Sequence, residues 1–145
     1  GSISGSIETD GTTGALTGAN ILNWNLLLND GSTTFSLLGP LSGNNSQVQI
    51  GGSDLTATAT QLLFNFSGSG YALFQNPTIG TGINYFCMEA NTACTNSPAG
   101  ESLRLTEGAN RFTAFSGTQV VAELGGARHG SGDLRDSFSV AHNLA

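Results

Sequence analysis

The residue types used in acid-base and nucleophilic catalysis cluster near the C-terminal end of the sequence. Histidine, serine and aspartate occur there at short spacing, as His129, Ser131, Asp133, Asp136 and His142. A catalytic triad needs a rigid scaffold, whereas these residues lie in a glycine-rich segment without a nucleophile-elbow pattern. We therefore predict a solvated tail and a protein that is not an enzyme. The alternative is a hydrolase that uses the tail histidines.

Four acidic residues fall at predicted strand ends and turns, where their carboxylates could bind calcium. They are Glu8, Asp10, Asp30 and Asp54. No segment of the sequence follows the D-x-D-x-D-G calcium loop, and aspartates commonly stabilise turns by accepting backbone hydrogen bonds. We predict turn-stabilising roles for these residues, with calcium ligation as the alternative. No metal site and no cofactor are predicted.

Two cysteines, Cys87 and Cys94, bracket the short segment CMEANTAC. Their spacing suits a disulfide that closes a loop between a strand end and its return, and such bonds form in oxidising compartments. Free buried thiols of an intracellular protein are the alternative. A zinc site is disfavoured, because two cysteines with no histidine nearby supply half of a ligand set. The cysteines thus predict a disulfide and an exported protein.

Aromatic and polar side chains raise the question of glycan binding. Trp24 shares its predicted strand face with Leu22, Leu26 and Leu28, so we expect it in the core and not on a sugar-stacking surface. The polar rows on the opposite faces are expected to be wetted sheet surface; they are Asn23, Asn25, Thr56, Thr58 and Thr60. A glycan-binding module would need an exposed aromatic or Asn/Asp cluster on one face.

Composition and charge limit the classes of partner. The 145 residues include 21 glycines, 10 acidic residues and 4 arginines, with no lysine, for a net charge of −6. Nucleic acid is therefore not expected as a partner, because phosphate binding needs a clustered basic surface. No apolar run approaches the length of a membrane helix, and no signal peptide is visible at Gly1. Hydrophobic residues make up 38%, which is enough for a core.

Short alternating segments separated by turn residues predict the fold. The longest, 43–70, changes phase after Gln61, which predicts a β-bulge at 60–62 or a corner between two sheets. Asp10-Gly11 and Asp30-Gly31 predict hairpin turns. We predict an all-β, antiparallel two-layer β-sandwich, jelly-roll-like, with about nine or ten short strands over residues 1–126. Residues 127–145 are predicted as a polar C-terminal tail with one possible strand at 137–141.

The sequence also resembles a family of exported proteins. The resemblance runs from about Ile3 to Ala122 and is carried by TDGT, by 20–25, by LLGPLSGNNSQV and by GTQVVA. These pieces are similar to exported bacterial proteins with a C-terminal PEP-CTERM sorting signal, although the signal itself is absent from this sequence. The resemblance implies a secreted, Gly/Ser/Thr/Asn-rich β domain of a Gram-negative bacterium, associated with exopolysaccharide and biofilm surfaces. It supplies no catalytic residue.

Together these observations predict a secreted structural or adhesive protein of the cell surface or extracellular matrix, with a glycan-binding module as the alternative. The expected partners are extracellular polysaccharide or further copies of the chain. Two uncharged terminal segments are predicted as edge strands that could pair between copies into a filament; they comprise Ile3, Ser4, Gly5, Ser6 and Ile7, with Phe138 and Val140. The alternative is that both segments pair within their own sheet.

Overall fold

Alternating apolar and polar residues form strands over much of the chain that the structure describes. A computed structural model describes residues 1–80, 83–90, 94, 98–106, 108–125 and 135–145. Over these residues the chain forms thirteen strands and one 3-10 turn, Gly18–Asn20. The strands are β1 (Ser2–Thr9), β2 (Gly14–Ala15), β3 (Ile21–Asn29), β4 (Thr34–Leu38), β5 (Gln47–Gly51), β6 (Leu55–Ala57), β7 (Gln61–Asn65), β8 (Tyr71–Asn76), β9 (Asn84–Glu89), β10 (Gly100–Arg104), β11 (Arg111–Ala114), β12 (Thr118–Leu124) and β13 (Asp136–Asn143).

Two antiparallel sheets contain these strands. The larger sheet has eight strands in the order β2-β6-β7-β12-β13-β1-β3-β4, and the smaller sheet has five in the order β11-β10-β9-β8-β5. The predicted all-β fold with two antiparallel layers is confirmed. The thirteen strands exceed the predicted nine or ten. None of the described residues belongs to a helix that is long and apolar enough to cross a membrane.

Alternate side chains of the two sheets meet in one apolar core. On β3 the inward residues are Trp24, Leu26 and Leu28, each at most 2% exposed, as the alternation of that segment predicts. The Trp24 ring contacts Phe74 of β8 edge-on, with ring centroids 5.4 Å apart, and so links the layers. The prediction that Trp24 is a core residue is confirmed.

A bulge in β3 changes the predicted face of one leucine. Thr9 pairs with Ile21 while Glu8 pairs with Asn23, so Leu22 is the extra residue between them. Ile21 is buried and Leu22 is partly exposed. The prediction that Leu22 shares the face of Trp24 is therefore wrong, because the bulge shifts the alternation by one position.

The phase change after Gln61 has a different cause from the one predicted. β6 and β7 pair with each other in the larger sheet, and Leu55 lies opposite Phe64. The chain reverses between them, with the Thr58 N–H donating to the Gln61 carbonyl at 2.9 Å. A hairpin turn thus replaces the predicted bulge or corner. A tight turn resets the alternation because a new strand begins after it.

The two Asp-Gly pairs behave differently. Asp30-Gly31 lies in the loop of a hairpin that pairs β3 with β4, as predicted. Asp10-Gly11 does not form a two-residue hairpin, since β1 pairs next with β3 and the Asp10 N–H donates to the carbonyl of Asn20. The intervening residues include β2, which crosses to pair with β6 at the far side of the larger sheet.

The terminal segments predicted as sheet edges lie inside the larger sheet. β1 and β13 pair with each other along their whole lengths, with Gly5 opposite Val140 and Ile7 opposite Phe138. Ser4 and Ser6 of β1 lie opposite residues of both β13 and β3. The prediction of open edges at Ile3–Ile7 and at Phe138 and Val140 is therefore wrong, because each segment is covered on both sides, and the alternative of pairing within the sheet is confirmed.

Residues 135–145 belong to the sandwich and not to a separate tail. Phe138 and Val140 of β13 are buried in the core at 0% and 4% exposure. The amino group of Gly1 donates to the carbonyl of Leu144 at 2.8 Å, which joins the two ends of the chain. The strand predicted at 137–141 is confirmed and is longer than predicted.

Candidate functional site

A disulfide joins Cys87 of β9 to Cys94, with the two Cα atoms 6.4 Å apart. It lies on the outer face of the smaller sheet, where Cys87 is opposite Leu73 and Ser102 of the neighbouring strands. The Cys94 N–H donates to the buried carboxylate of Glu89 at 2.8 Å. The predicted disulfide is confirmed. Because each sulfur is bonded to the other, neither is available as a thiolate ligand.

His142, the last member of the predicted catalytic cluster, faces the core instead of solvent. It lies two positions after Val140 on β13, opposite the buried Ile3. Its Nδ1 atom is 2.7 Å from Oε1 of Glu101, a β10 residue in the other sheet that is 1% exposed. The prediction of a solvated tail is wrong for His142, since this pair connects the two layers. Asp136 is buried at the start of β13, and His129, Ser131 and Asp133 lie outside the described residues.

The surroundings of His142 favour its protonated form. β12 carries a bulge at Val121, whose backbone bonds to the imidazole. Burial acts to lower the pKa of His142, but the hydrogen bond and the negative charge of Glu101 outweigh it, so the pKa lies above its ordinary value.

A cavity of about 240 Å³ beside the His142–Glu101 pair is lined by Phe115, Gln119 and Asn143 among others. Glu101 and His142 thus join the two layers, and a second cavity of about 320 Å³ at His142 is lined by Ser139 and Glu123 among others.

Three of the four singled-out acids hold turns, as predicted. Asp10 accepts the Thr12 N–H at 3.0 Å, Asp30 accepts the Ser32 and Thr33 N–H groups at 2.9 and 2.8 Å, and Asp54 accepts the Ser69 N–H at 2.9 Å. The pKa of Asp10 is lowered mainly by its hydrogen bond to the Thr12 side chain. The pKa of Asp30 is lowered mainly by its hydrogen bond to the Thr33 backbone. Glu8 differs, because it lies within β1 and accepts the amide of Asn23 at 3.1 Å.

Three of the four sheet edges are covered or very short. At β4, the Asn45 side chain accepts the Leu38 N–H at 2.7 Å and donates to the Ser36 carbonyl at 2.9 Å. At β11, the Phe112 N–H donates to the carbonyl of Ala145 at 3.3 Å. The remaining edge of the larger sheet is β2, which has two residues. Covered and short edges are the usual protection against pairing with another chain.

The fourth edge, β5, forms no backbone hydrogen bonds on its outer side with the described part of the chain, although the 3-10 turn Gly18–Asn20 lies close to it. It pairs with β8 on one side, and on the other side a groove of about 580 Å³ runs beside it. Apolar and amide side chains line this groove; they include Ile21, Trp24, Ile79, Asn44, Gln47 and Gln49. The segment was predicted to be strand, but its position at a sheet edge was not.

The outer face of the smaller sheet carries two partly exposed tyrosines. Tyr71 of β8 donates its hydroxyl to Gln49 of β5 at 2.9 Å, and Tyr85 of β9 donates to Asn110 at 2.9 Å. Burial is the main cause that raises the pKa of Tyr85. Aromatic rings beside amide groups are a surface on which a neutral sugar can stack and form hydrogen bonds. Tyr71 and Tyr85 belong to the aromatic residues that the sequence offers as candidates for a sugar-stacking platform.

Comparison of the chain with protein families, characterised proteins and solved structures gives no match. Sequence reasoning found the disulfide and the turn acids because both have local signals. It missed Glu101 and the β5 edge, since their roles depend on which strands become neighbours across the fold.

Proposed function

We propose that this chain is an exported structural or adhesive protein of the bacterial cell surface or extracellular matrix, acting without catalysis. The observation that carries the proposal is the Cys87–Cys94 disulfide. Disulfides persist in oxidising compartments and are rare in the cytosol of most organisms. The Gram-negative and biofilm setting rests on the resemblance to PEP-CTERM-sorted proteins.

The surface chemistry also supports an adhesive role. Net charge is −6, lysine is absent, and much of the surface carries hydroxyl and amide side chains, such as Gln47 and Gln49. Such neutral groups can form hydrogen bonds with polysaccharide hydroxyls, and this binding does not depend on attraction between charges. The large exposed apolar residues among those described are Leu27, Leu41, Ile83 and Val120. Contact with a hydrated matrix would thus be broad, polar and multivalent.

Secretion and adhesion can be tested together in a Gram-negative host that exports the chain. Thiol-reactive labelling of the envelope fraction, with and without reductant, should show Cys87 and Cys94 protected until the disulfide is reduced. Biofilm retention of the exported chain should exceed that of an exported control domain of similar size and charge. Free thiols in the envelope fraction, or retention equal to the control, would contradict the proposal.

The outer face with Tyr71 and Tyr85 favours a second candidate, a glycan-binding module. The faces of the two aromatic rings offer apolar surface on which a sugar ring can stack. A glycan array, run with and without calcium, should then give a signal that Tyr85→Ala lowers. Asn25→Ala, an exposed change on the larger sheet, serves as the control and should leave the signal unchanged. An array without signal in both conditions would remove this candidate.

A further inference from the structure

We propose that β5 is a self-association edge, which pairs in antiparallel orientation with β5 of a second copy of this chain. The two smaller sheets would then join into one continuous ten-stranded sheet, since each contributes five strands. The inference rests on the proposed structural or adhesive role, for which it supplies the partner and the contact surface. It also replaces the terminal segments as the assembly edge.

The first support is the contrast between β5 and the other edges. In an antiparallel ladder every second residue directs its N–H and C=O away from the paired strand. In natural proteins, charged residues, proline or a covering segment usually prevent a sheet edge from pairing with another chain. β5 has five residues, QVQIG, with neither charge nor proline, and no other described segment forms a backbone hydrogen bond with Val48 or Ile50 on its open side.

The second support is the self-complementarity of the β5 sequence. Antiparallel pairing about a two-fold axis at Gln49 places Gln49 opposite its own copy and Val48 opposite Ile50. Gln47 then faces Gly51. The Val48–Ile50 contacts are pairs of β-branched residues, which stabilise antiparallel sheets. The net charge of −6 opposes association of two copies in general, but no charge lies in this strand.

The third support is the groove beside the edge. Val48 and Ile50 pack against the core of their own sandwich, so the same residues of a second copy would face the same side of the joined sheet. The floor of the groove on that side is formed by the buried Ile21 and Trp24, which are 6% and 2% exposed, and by the partly exposed Ile79. A neighbouring strand lies about 4.8 Å away, which places the second β5 over this floor. The groove thus fits an extended, partly apolar strand.

Sedimentation equilibrium of the full chain, from about 5 µM to about 1 mM, tests the proposal. We expect a concentration-dependent monomer–dimer equilibrium. Gln49→Lys places two like charges opposite each other at the two-fold axis and should raise the dissociation constant about fivefold or more. Thr34→Lys is the matched control, because it adds the same exposed charge to β4, whose edge Asn45 covers. It should leave the dissociation constant unchanged.

Mixing two variants provides the decisive measurement. Gln49→Lys and Gln49→Glu should each associate weakly alone, and an equimolar mixture should recover the wild-type dissociation constant or a lower one. A monomer at every concentration, a Gln49→Lys variant that associates like wild type, or a mixture no tighter than its components would each overturn the inference. Binding of soluble oligosaccharide to a strictly monomeric chain would instead assign the groove to a glycan. If a monomeric chain is still retained at the surface, the β5 contact is refuted but the proposed adhesive function is not.

Discussion

The contact between His142 and Glu101 is the residue-scale feature with the most distinctive electrostatics. A histidine that is mostly removed from water would normally lose its proton more easily. The buried carboxylate reverses this tendency, because the protonated ring gains both a hydrogen bond and an opposite charge. The pair therefore links the two layers most strongly when His142 is protonated.

Glu101→Gln should lower the pKa of His142. The substitution removes the negative charge but leaves the burial, whose effect on the pKa is downward. An NMR titration of the imidazole should place the pKa of wild-type His142 above the ordinary value of about 6.5, and that of the variant below the wild type. Equal titration curves in the two proteins would contradict the assigned contact.

The same pair predicts a pH dependence of stability. The pKa of His142 is raised in the folded state, so its stabilisation is complete below about pH 6.5 and is lost as pH rises through the folded pKa. The unfolding free energy of wild type should exceed that of His142→Gln by more at about pH 5.5 than at about pH 9. Urea unfolding of both proteins at the two pH values measures this, and a difference that grows with pH would refute it.

The Asn45 side chain binds backbone groups of β4 that a neighbouring strand would otherwise bind. Its side chain makes two hydrogen bonds to the backbone of that edge, to Leu38 and Ser36. Asn45→Ala should lower the unfolding free energy by about 1–3 kcal/mol, at about 0.5–1.5 kcal/mol per bond. Asn25→Ala, an exposed change on β3, should cost less than about 0.5 kcal/mol. Denaturant melts compare the three proteins, and equal midpoints would show that the edge is not stabilised by Asn45.

At the scale of elements, β13 closes the larger sheet between β1 and β12. Phe138 is fully buried on this strand. Phe138→Ala should therefore cost about 3–5 kcal/mol of stability. The exposed Ser139→Ala on the same strand should cost less than about 0.5 kcal/mol. Thermal or urea unfolding distinguishes the outcomes, and a small effect at Phe138 would mean that β13 is a dispensable tail.

Most strands could be predicted from the sequence because their signal is local. A period of two places Trp24, Leu26 and Leu28 on one face whatever strand lies beside them. The order of strands has no such local signal, since β1 pairs with a strand at the opposite end of the chain. This explains why Ile3–Ile7 was predicted as an edge, and why the true edge at β5 was not found.

The residues of the candidate site also fall into two groups, those that a local sequence pattern predicts and those that only the folded structure brings together. Cys87 and Cys94 are close in sequence, and Asp30 precedes a glycine in a turn, so both features follow from short-range patterns. Glu101 and His142 come from different sheets, and their contact exists only after the layers pack. The bulge at Val121, which brings its backbone to the imidazole, is likewise set by pairing with β7.

At the scale of the whole molecule, the disulfide fastens a loop to the outer face of the smaller sheet. It closes a short loop, with a sequence separation of 7, for which the chain-entropy relation gives about 2.5 kcal/mol. The double variant Cys87→Ser with Cys94→Ser should lose about this amount, and reductant should lower the stability of wild type but not of the variant. Intact mass should rise by the mass of two hydrogens on reduction. An unchanged mass would contradict the disulfide.

The pairing of β1 with β13 also bears on when the protein folds. Ser2 lies opposite Asn143, so the centre of the larger sheet cannot assemble until both β1 and β13 are available. Contacts of such long sequence separation make folding slow, on a scale of about milliseconds to seconds. A chain that leaves the cytoplasm through a narrow channel must stay unfolded during its passage. Under the proposed export, slow folding would keep the chain unfolded during its passage, and the sandwich would close where an oxidant for its disulfide is present.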